Sequence, residues 1–303
     1  MEDIANPERT RKILKRYGFK FKKSLGQNFL TNITILKQIV EAGEITKDDD
    51  VIEIGPGIGS LTEQIARKAH QVLSFEIDDR LIPVLKDTLN HYHNVTVLNQ
   101  DILEADLPTL IAKHFDGQHN LKIVANLPYY ITTPIMLHLL EAGLPIDRMV
   151  LMMQKEVAER IDAAPGSKAY GSLSIAVQLH SEVKLAFIVP KTAFVPQPNV
   201  DSAIVEFVGR QEPLVTVQNQ QLFDQLVRGA FAQRRKTLWN NLQNQFGKQE
   251  EVKAGLVAAL DQADIAPSTR AEQLSIQQFA QLSDCLNEQP VFAKKRGISN
   301  CQI

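Results

Sequence analysis

Cysteine is nearly absent: the 303 residues hold two, Cys285 and Cys301, both close to the C-terminus. That excludes a disulfide framework and any Cys-x-x-Cys metal site. No apolar run approaches the roughly 20 residues needed to span a bilayer. The first twenty residues are charged and lack the apolar stretch of a secretory signal. A cytoplasmic protein with no membrane partner is therefore expected. An excess of one charge is also missing, with 33 Lys and Arg against 35 Asp and Glu and a net charge of −2. This excludes a uniformly basic nucleic-acid binder but not a clustered one. Hydrophobic content of 44% with 22% charged residues excludes disorder as the dominant state. A chain of this length can bury one large core and a smaller second one.

What is present begins with clustered cations. Arg9, Arg11, Lys12, Lys15, Arg16, Lys20, Lys22 and Lys23 crowd the N-terminal arm, Arg234-Arg235-Lys236 form a second group, and Lys294-Lys295-Arg296 a third. Such clusters hold a phosphate backbone on a protein of near-zero net charge. Each also reads as a solvated helix face or tail. Asn6-Pro7-Glu8 opens a helix in the arm, with an N-cap, a first-turn proline and an acid.

From Val51 to Val208 short apolar runs alternate with helical periods. Strands are predicted at Val51–Ile54, Val72–Glu76, Val95–Leu98, Ile123–Ala125, Met149–Met153, Leu185–Val189 and Ala203–Val208. Intervening helices such as Ser60–Ala69 and Leu81–Leu89 make this an α/β, doubly wound sheet. Pro190–Ser202 is too short and proline-rich for a crossover helix, so the last strand should return antiparallel at the end of the sheet. Beyond Gly209 only helices are predicted: Gln221–Gln233, Lys236–Gln243, Val252–Asp261 and Ile276–Leu286. The expected divisions are a basic arm at 1–25, a sheet domain at 26–209, a smaller all-α domain at 213–288 and a disordered tail at 289–303.

Glu53-Ile54-Gly55-Pro56-Gly57-Ile58-Gly59 falls where a strand meets a helix. Glycines there allow positive φ and close approach of a ligand. The Gly-x-Gly-x-Gly spacing differs from the dinucleotide pattern, which disfavours a nicotinamide dehydrogenase. Glu53 ahead of the loop suits a cationic or zwitterionic ligand better than a diphosphate. Glu76 closes the next strand, where a carboxylate can accept ribose hydroxyls, and Asp101 closes the third, where it can receive a base amino group. Together these residues resemble the S-adenosylmethionine site of class I methyltransferases. No metal is expected, since His91 and His93 flank Tyr92 without a third ligand.

Asn126-Leu127-Pro128-Tyr129 follows the fourth strand. The lone pair of an exocyclic base amine is delocalised into its ring, and accepting both amine hydrogens localises it. The Asn126 side-chain oxygen and the Pro128 carbonyl are the expected acceptors. Tyr129 offers a stacking face, and Phe194, ahead of Val195-Pro196-Gln197-Pro198, an opposite wall.

Gln27-Asn28-Phe29-Leu30, the Gly55 loop, Glu76, Asp101, Asn126–Tyr129, Gln154–Arg160 and Phe194–Ser202 stand in the order seen in ribosomal RNA adenine dimethyltransferases. Phe231–Leu238 is similar to the bacterial small-subunit branch, the kasugamycin-sensitivity methyltransferases. The resemblance implies a class I, Rossmann-like, mostly parallel seven-stranded sheet with an antiparallel last strand. It further implies S-adenosylmethionine-dependent dimethylation of the N6 amines of two adjacent adenosines near the 3′ end of 16S rRNA, late in small-subunit assembly. Asn28, Leu30, Gly55, Glu76, Asp101 and Asn126 would contact the cofactor. Asn126, Pro128, Tyr129 and Phe194 would handle the adenine, and Lys22, Lys23, Arg234, Arg235 and Lys236 the RNA. Asn199 departs from the pattern, where many relatives carry Lys. A monomer with no DNA partner is expected. The alternatives are the related 23S rRNA adenine methyltransferases of macrolide resistance and a non-catalytic assembly or transcription factor on the same scaffold.

Overall fold

The computed structural model describes residues 2–19, 22, 27–210 and 212–293. The chain divides into two compact units, Met1–Glu159 with Ser181–Gly209, and Arg160–His180 with the chain from Arg210 onward. In the first, the strands are β1 (Phe29–Leu30), β2 (Asp49–Ile54), β3 (Gln71–Glu76), β4 (Val95–Asn99), β5 (Asn120–Asn126), β6 (Ile146–Gln154), β7 (Ser181–Val189), β8 (Phe194–Val195) and β9 (Ser202–Gly209). The helices of this unit are α1 (Pro7–Arg16), α2 (Ile33–Ala42), α3 (Ser60–Lys68), α4 (Ile82–Thr88), α5 (Leu107–His114) and α6 (Tyr129–Glu141), and α7 (Lys155–Ile161) crosses its boundary.

Seven strands form one sheet in the order β4-β3-β2-β5-β6-β9-β7. β2 through β6 pair in parallel. Their central residues, such as Val51, Ile52, Ile123 and Val124, are wholly buried, as parallel strands covered on both faces require. The chain runs outward from β2 through β3 to β4, then resumes at β5 on the other side of β2. This reversal opens a crevice at the carboxyl ends of β2 and β5, where doubly wound sheets bind ligands.

β9 is antiparallel to both of its neighbours. It lies one place in from the end of the sheet rather than at the end, where the proline-rich return had suggested it. Burial explains the order. Ala203, Ile204 and Val205 of β9 are fully buried and need cover on both sides. β7 instead exposes Glu182 and Lys184 and carries a register irregularity between Leu185 and Phe187, features that blunt an edge strand.

The N-terminal arm is docked over its described length. Ile4 and Ala5 are fully buried, the Ile4 N–H donates to Glu63 Oε2 at 2.8 Å, and Arg67 pairs with Asp3 at 2.7 Å. Ile13 and Leu14 of α1 pack on Leu81, Val84 and Leu85.

The second unit contains α8 (Ser172–Gln178), α9 (Gln220–Ala230), α10 (Leu238–Phe246), α11 (Glu250–Gln262), α12 (Ile276–Glu288) and α13 (Pro290–Ala293). Its core includes Phe223, Leu226, Leu242, Leu256 and Phe279. The segment 160–180, which the sequence reading placed in the sheet domain, packs here because Tyr170 and Ile175 are buried in this same cluster. The tail also orders further than expected: Pro290–Ala293 is helical, and the Phe292 ring meets Phe246 edge-on at 5.3 Å. Residues 294–303, with Lys294–Arg296 and Cys301, lie outside the described residues. Among the described residues no helix is long and apolar enough to cross a membrane.

Candidate active site

A cavity of about 370 Å³ opens at the carboxyl ends of β2, β3 and β5, a size suited to a nucleoside-like ligand. Asn28, Leu30, Gly55, Glu76, Asp101, Asn126, Pro128, Tyr129 and Phe194 all line it. Residues scattered over much of the first unit's sequence are thus brought to one place.

The floor is the turn between β2 and α3. Gly57 has a φ of +61°, and a Cβ there would stand 2.9 Å from the Phe29 ring. Only glycine fits, by conformation and by space. Phe29 reaches this position because β1 pairs antiparallel with β8, matching Phe29 to Val195 and Leu30 to Phe194. That two-residue ladder joins the Gln27–Leu30 motif to the Phe194 motif. Gln27 Nε2 also donates to Asp78 Oδ2 at 2.7 Å, holding the segment over the cavity.

Two carboxyl groups flank the glycine turn. Glu76 is 5% exposed and accepts the Gly57 N–H at 3.2 Å and the Asp78 N–H at 2.8 Å. Burial pushes its pKa up to about 7; the two N–H donors oppose the rise and the Asp78 charge adds to it. Glu53 is 1% exposed and does not line the cavity. Its Oε2 accepts the Ser74 hydroxyl at 2.9 Å, and its Oε1 has no hydrogen-bond partner among the described residues. Burial raises this carboxyl to about 7 as well, hydrogen bonding lowers it, and Glu76 contributes repulsion. A ligand cation near the turn would relieve both acids. Asp101 follows β4 and accepts the Leu103 N–H through Oδ1 at 2.9 Å. It is therefore a helix cap as well as a cavity wall.

Asn126 is the last residue of β5, half-buried, and its carboxamide makes no hydrogen bond among the described residues. Pro128 behaves differently from expectation. As the N-cap of α6 it turns its carbonyl into the helix, where it accepts the Ile131 N–H and the Thr132 hydroxyl, each at 3.1 Å. An N-cap carbonyl belongs to the first helical turn, so it is already occupied. The carbonyl of Leu127, which also lines the cavity, accepts no hydrogen bond among the described residues. Tyr129 Oη and Ser202 Oγ hydrogen-bond at 2.8 Å, which fixes the ring. Burial lifts the Tyr129 pKa, with Ser202 opposing and Asp201 assisting. Phe194 is a buried wall of the cavity.

Sequence reasoning missed Ile77, Ile102 and Tyr130, which also line the cavity. Ile77 is 60% exposed directly after Glu76, and Ile102 is buried directly after Asp101. An apolar residue following each strand-end acid was the available signal. Tyr130 is 61% exposed at the start of α6.

No described cationic residue is among those that line the cavity. Arg234, Arg235 and Lys236 occupy the turn between α9 and α10 in the second unit. Arg234 pairs with Glu272 at 3.3 Å and reaches the Tyr170 carbonyl, whereas Arg235 and Lys236 are exposed without an ion pair among the described residues. Lys22 is exposed, and Lys23 lies outside the described residues. His91 and His93 are both exposed just ahead of β4.

Comparison with known proteins decides the family. The family described as ribosomal RNA adenine dimethylase matches residues 18–288. The chain belongs to it. Within this dimethylase family, a protein from Ligilactobacillus salivarius named ribosomal RNA small subunit methyltransferase A is 59% identical over 286 residues, covering 94% of this chain and 97% of the relative. An Enterococcus faecalis protein of the same name is 58% identical over 287 residues, covering 95% and 97%. Among solved structures, a dimethyladenosine transferase from Plasmodium falciparum superposes with a TM-score of 0.68 at 28% identity, over 83% of this chain and 94% of that one. The 23S rRNA methyltransferase ErmE superposes with a TM-score of 0.64 at 28% identity, over 86% and 100%. The chain has the class I methyltransferase fold, in common with these two solved structures.

Proposed function

We propose that this chain dimethylates the N6 amines of two adjacent adenosines in the 3′-terminal hairpin loop of 16S rRNA, as a monomer acting late in assembly of the small ribosomal subunit. Membership of the adenine dimethylase family supports the reaction, and relatives named for the small subunit, at 58–59% identity over nearly the whole chain, support the substrate. The observation that carries the mechanism is the unbonded Asn126 carboxamide in a cavity also lined by Glu76 and Asp101.

The cavity fits S-adenosylmethionine by its chemistry. Glu76 offers carboxylate oxygens to ribose hydroxyls, and the second oxygen of Asp101 is available to an adenine amine. Ile77 and Ile102 supply apolar faces for a purine, while Asn28 and Leu30 wall the cavity beside Gly55. The raised pKa values of the buried Glu53 and Glu76 carboxyls favour a ligand carrying positive charge. When bound, the cofactor supplies a methyl group made electrophilic by its sulfonium.

For the target base, Asn126 Oδ1 and the Leu127 carbonyl accept the two amine hydrogens, in place of the Pro128 carbonyl, which α6 already uses. Both hydrogens then lie in fixed directions and the nitrogen lone pair is freed from the ring. Tyr129 and Phe194 hold the adenine between them, the former through a hydroxyl anchored to Ser202. The methylated ammonium is acidic and loses its proton to water, so no histidine base is required. A second transfer to the monomethylated amine uses one of the two acceptors. Unpaired loop bases are the least costly to extrude into such a site. Arg235, Lys236, Lys22 and Lys23 position the RNA through its backbone.

The test is transfer of labelled methyl from S-adenosylmethionine to small and large ribosomal subunits that lack the modification. Label in small-subunit RNA supports the reading. Label confined to large subunits would replace it with the 23S activity, and no label in either would favour a non-catalytic factor.

A further inference from the structure

At the amino-terminal ends of the strands, away from the cavity, three side chains with metal-binding donors converge. Asp50 is the second residue of β2, His70 directly precedes β3 and His119 directly precedes β5. These strands are neighbours in the sheet. Asp50 Oδ1 lies 2.8 Å from His70 Nδ1. The imidazoles of His70 and His119 stack with centroids 3.7 Å apart and planes within 9°. One donor atom from each of the three residues lies within 4.8 Å of the other two. The Asp50 carboxylate is buried, while both rings are partly open to solvent.

A second layer is built behind them. Asp116 Oδ1 and His119 Nδ1 hydrogen-bond at 3.0 Å, which leaves His119 Nε2 without a partner among the described residues. A carboxylate behind one ring nitrogen is the usual device for fixing the tautomer and direction of a metal-ligating histidine. The Asp50–His70 hydrogen bond alone does not call for a second imidazole stacked on the first.

We propose that Asp50, His70 and His119 bind one divalent transition-metal ion of the zinc class, with Asp116 orienting His119. Two imidazoles and a carboxylate match Zn²⁺ and its neighbours, whereas Mg²⁺ and Ca²⁺ take oxygen ligands. Zinc bonds of about 2.0–2.1 Å place tetrahedral ligand atoms about 3.3 Å apart. Reaching that spacing needs rotation of two partly exposed rings, with the strand ends fixed. The ion would tie the 116–119 turn to the sheet. Its role is in holding the fold, so binding and stability are its readouts. The ligands are too widely spaced in sequence, at 50, 70 and 119, to form a recognisable motif.

The test titrates untagged, chelator-treated full-length protein with ZnCl₂ and with MgCl₂ by calorimetry, alongside thermal unfolding. One Zn²⁺ per chain, no Mg²⁺, and a Tm raised by about 5 °C at a Zn²⁺ concentration near 100 times Kd are expected. The H70Q/H119Q variant should bind Zn²⁺ at least tenfold more weakly. No stoichiometric binding by the wild type, or binding retained by the variant, would overturn the proposal. If that variant does not fold, zinc-edge anomalous scattering from wild-type crystals soaked in Zn²⁺ decides. A peak between Asp50, His70 and His119 supports the site; a peak only at His91 or His93, or none, overturns it.

Discussion

Replacing Glu76 by Gln should make the ligand-free protein more stable at pH 8 while removing much of its affinity for S-adenosylmethionine. The Glu76 carboxyl is 5% exposed, and its pKa is pushed from an ordinary 4.5 up to about 7, chiefly by burial. The unfolded chain releases this proton near 4.5. Between about pH 4.5 and 7 the folded state therefore holds a proton that the unfolded state has lost, and stability falls as pH rises through that window. At 1.36 kcal/mol per tenfold change in the proton equilibrium, the full destabilisation above pH 7 is about 3 kcal/mol. Gln removes the buried charge but weakens one of the two hydrogen bonds from Gly57 and Asp78, a loss of about 1–2 kcal/mol. The net gain is about 1–2 kcal/mol at pH 8, or a Tm rise of about 4 °C. At pH 5 the wild-type carboxyl is largely protonated and the gain should vanish. Thermal unfolding of both proteins at pH 5 and pH 8 without cofactor measures this, and calorimetry should show cofactor affinity reduced about tenfold or more. An E76Q protein no more stable than wild type at pH 8, or equally stabilised at both pH values, would refute the reasoning.

Three further perturbations follow from the same geometry. Asn126→Ala removes the free acceptor at the end of β5 and should lower kcat by about 10²–10³-fold with unchanged circular dichroism; near-wild-type turnover would exclude its role. Lys122→Met leaves Asp49 buried without the ammonium now 3.1 Å away. Loss of about 3 kcal/mol is expected, read as a lower urea midpoint at pH 7, and an unchanged midpoint would count against the pair. Burial would raise the Asp49 pKa, but hydrogen bonds from the Thr46 backbone, from Lys122 and from other donors hold it below its ordinary 3.8, so the stability from that carboxylate is present above about pH 4 and lost as pH falls below it. Arg235→Glu combined with Lys236→Glu should weaken RNA binding and flatten its salt dependence by about two phosphate contacts, leaving cofactor affinity intact; an unchanged salt slope would remove these residues from the interface.

Much of this architecture was legible in the chain. The central strands of the large sheet were visible because parallel strands buried on both faces leave short apolar runs, such as Val51–Ile54 and Ile123–Ala125. The glycine turn, Glu76, Asp101 and Asn126 were visible as a set because each falls at or just after the carboxyl end of a strand, where the cavity opens. Position within the sheet was less accessible. That Ala203–Val205 needs cover on both sides, and so lies inside β7, depends on packing with strands distant in sequence. Tyr170 and Ile175 likewise reveal their unit only through the helices that bury them. The β1–β8 ladder is two residues long, below what periodicity detects. The Pro128 carbonyl was misassigned for a local reason: sequence shows an acceptor but not that helix α6 starts at Tyr129 and takes it.

The most direct measurement is mass spectrometry of small-subunit RNA from a strain lacking this protein, with and without the wild-type chain or its Asn126→Ala variant restored. Two adjacent N6,N6-dimethyladenosines in the 3′-terminal hairpin loop should be absent from the deletion strain, return with the wild type and stay absent with the variant. Full dimethylation in the deletion strain, or its return with the variant, would contradict the assignment of this chemistry to the cavity around Asn126.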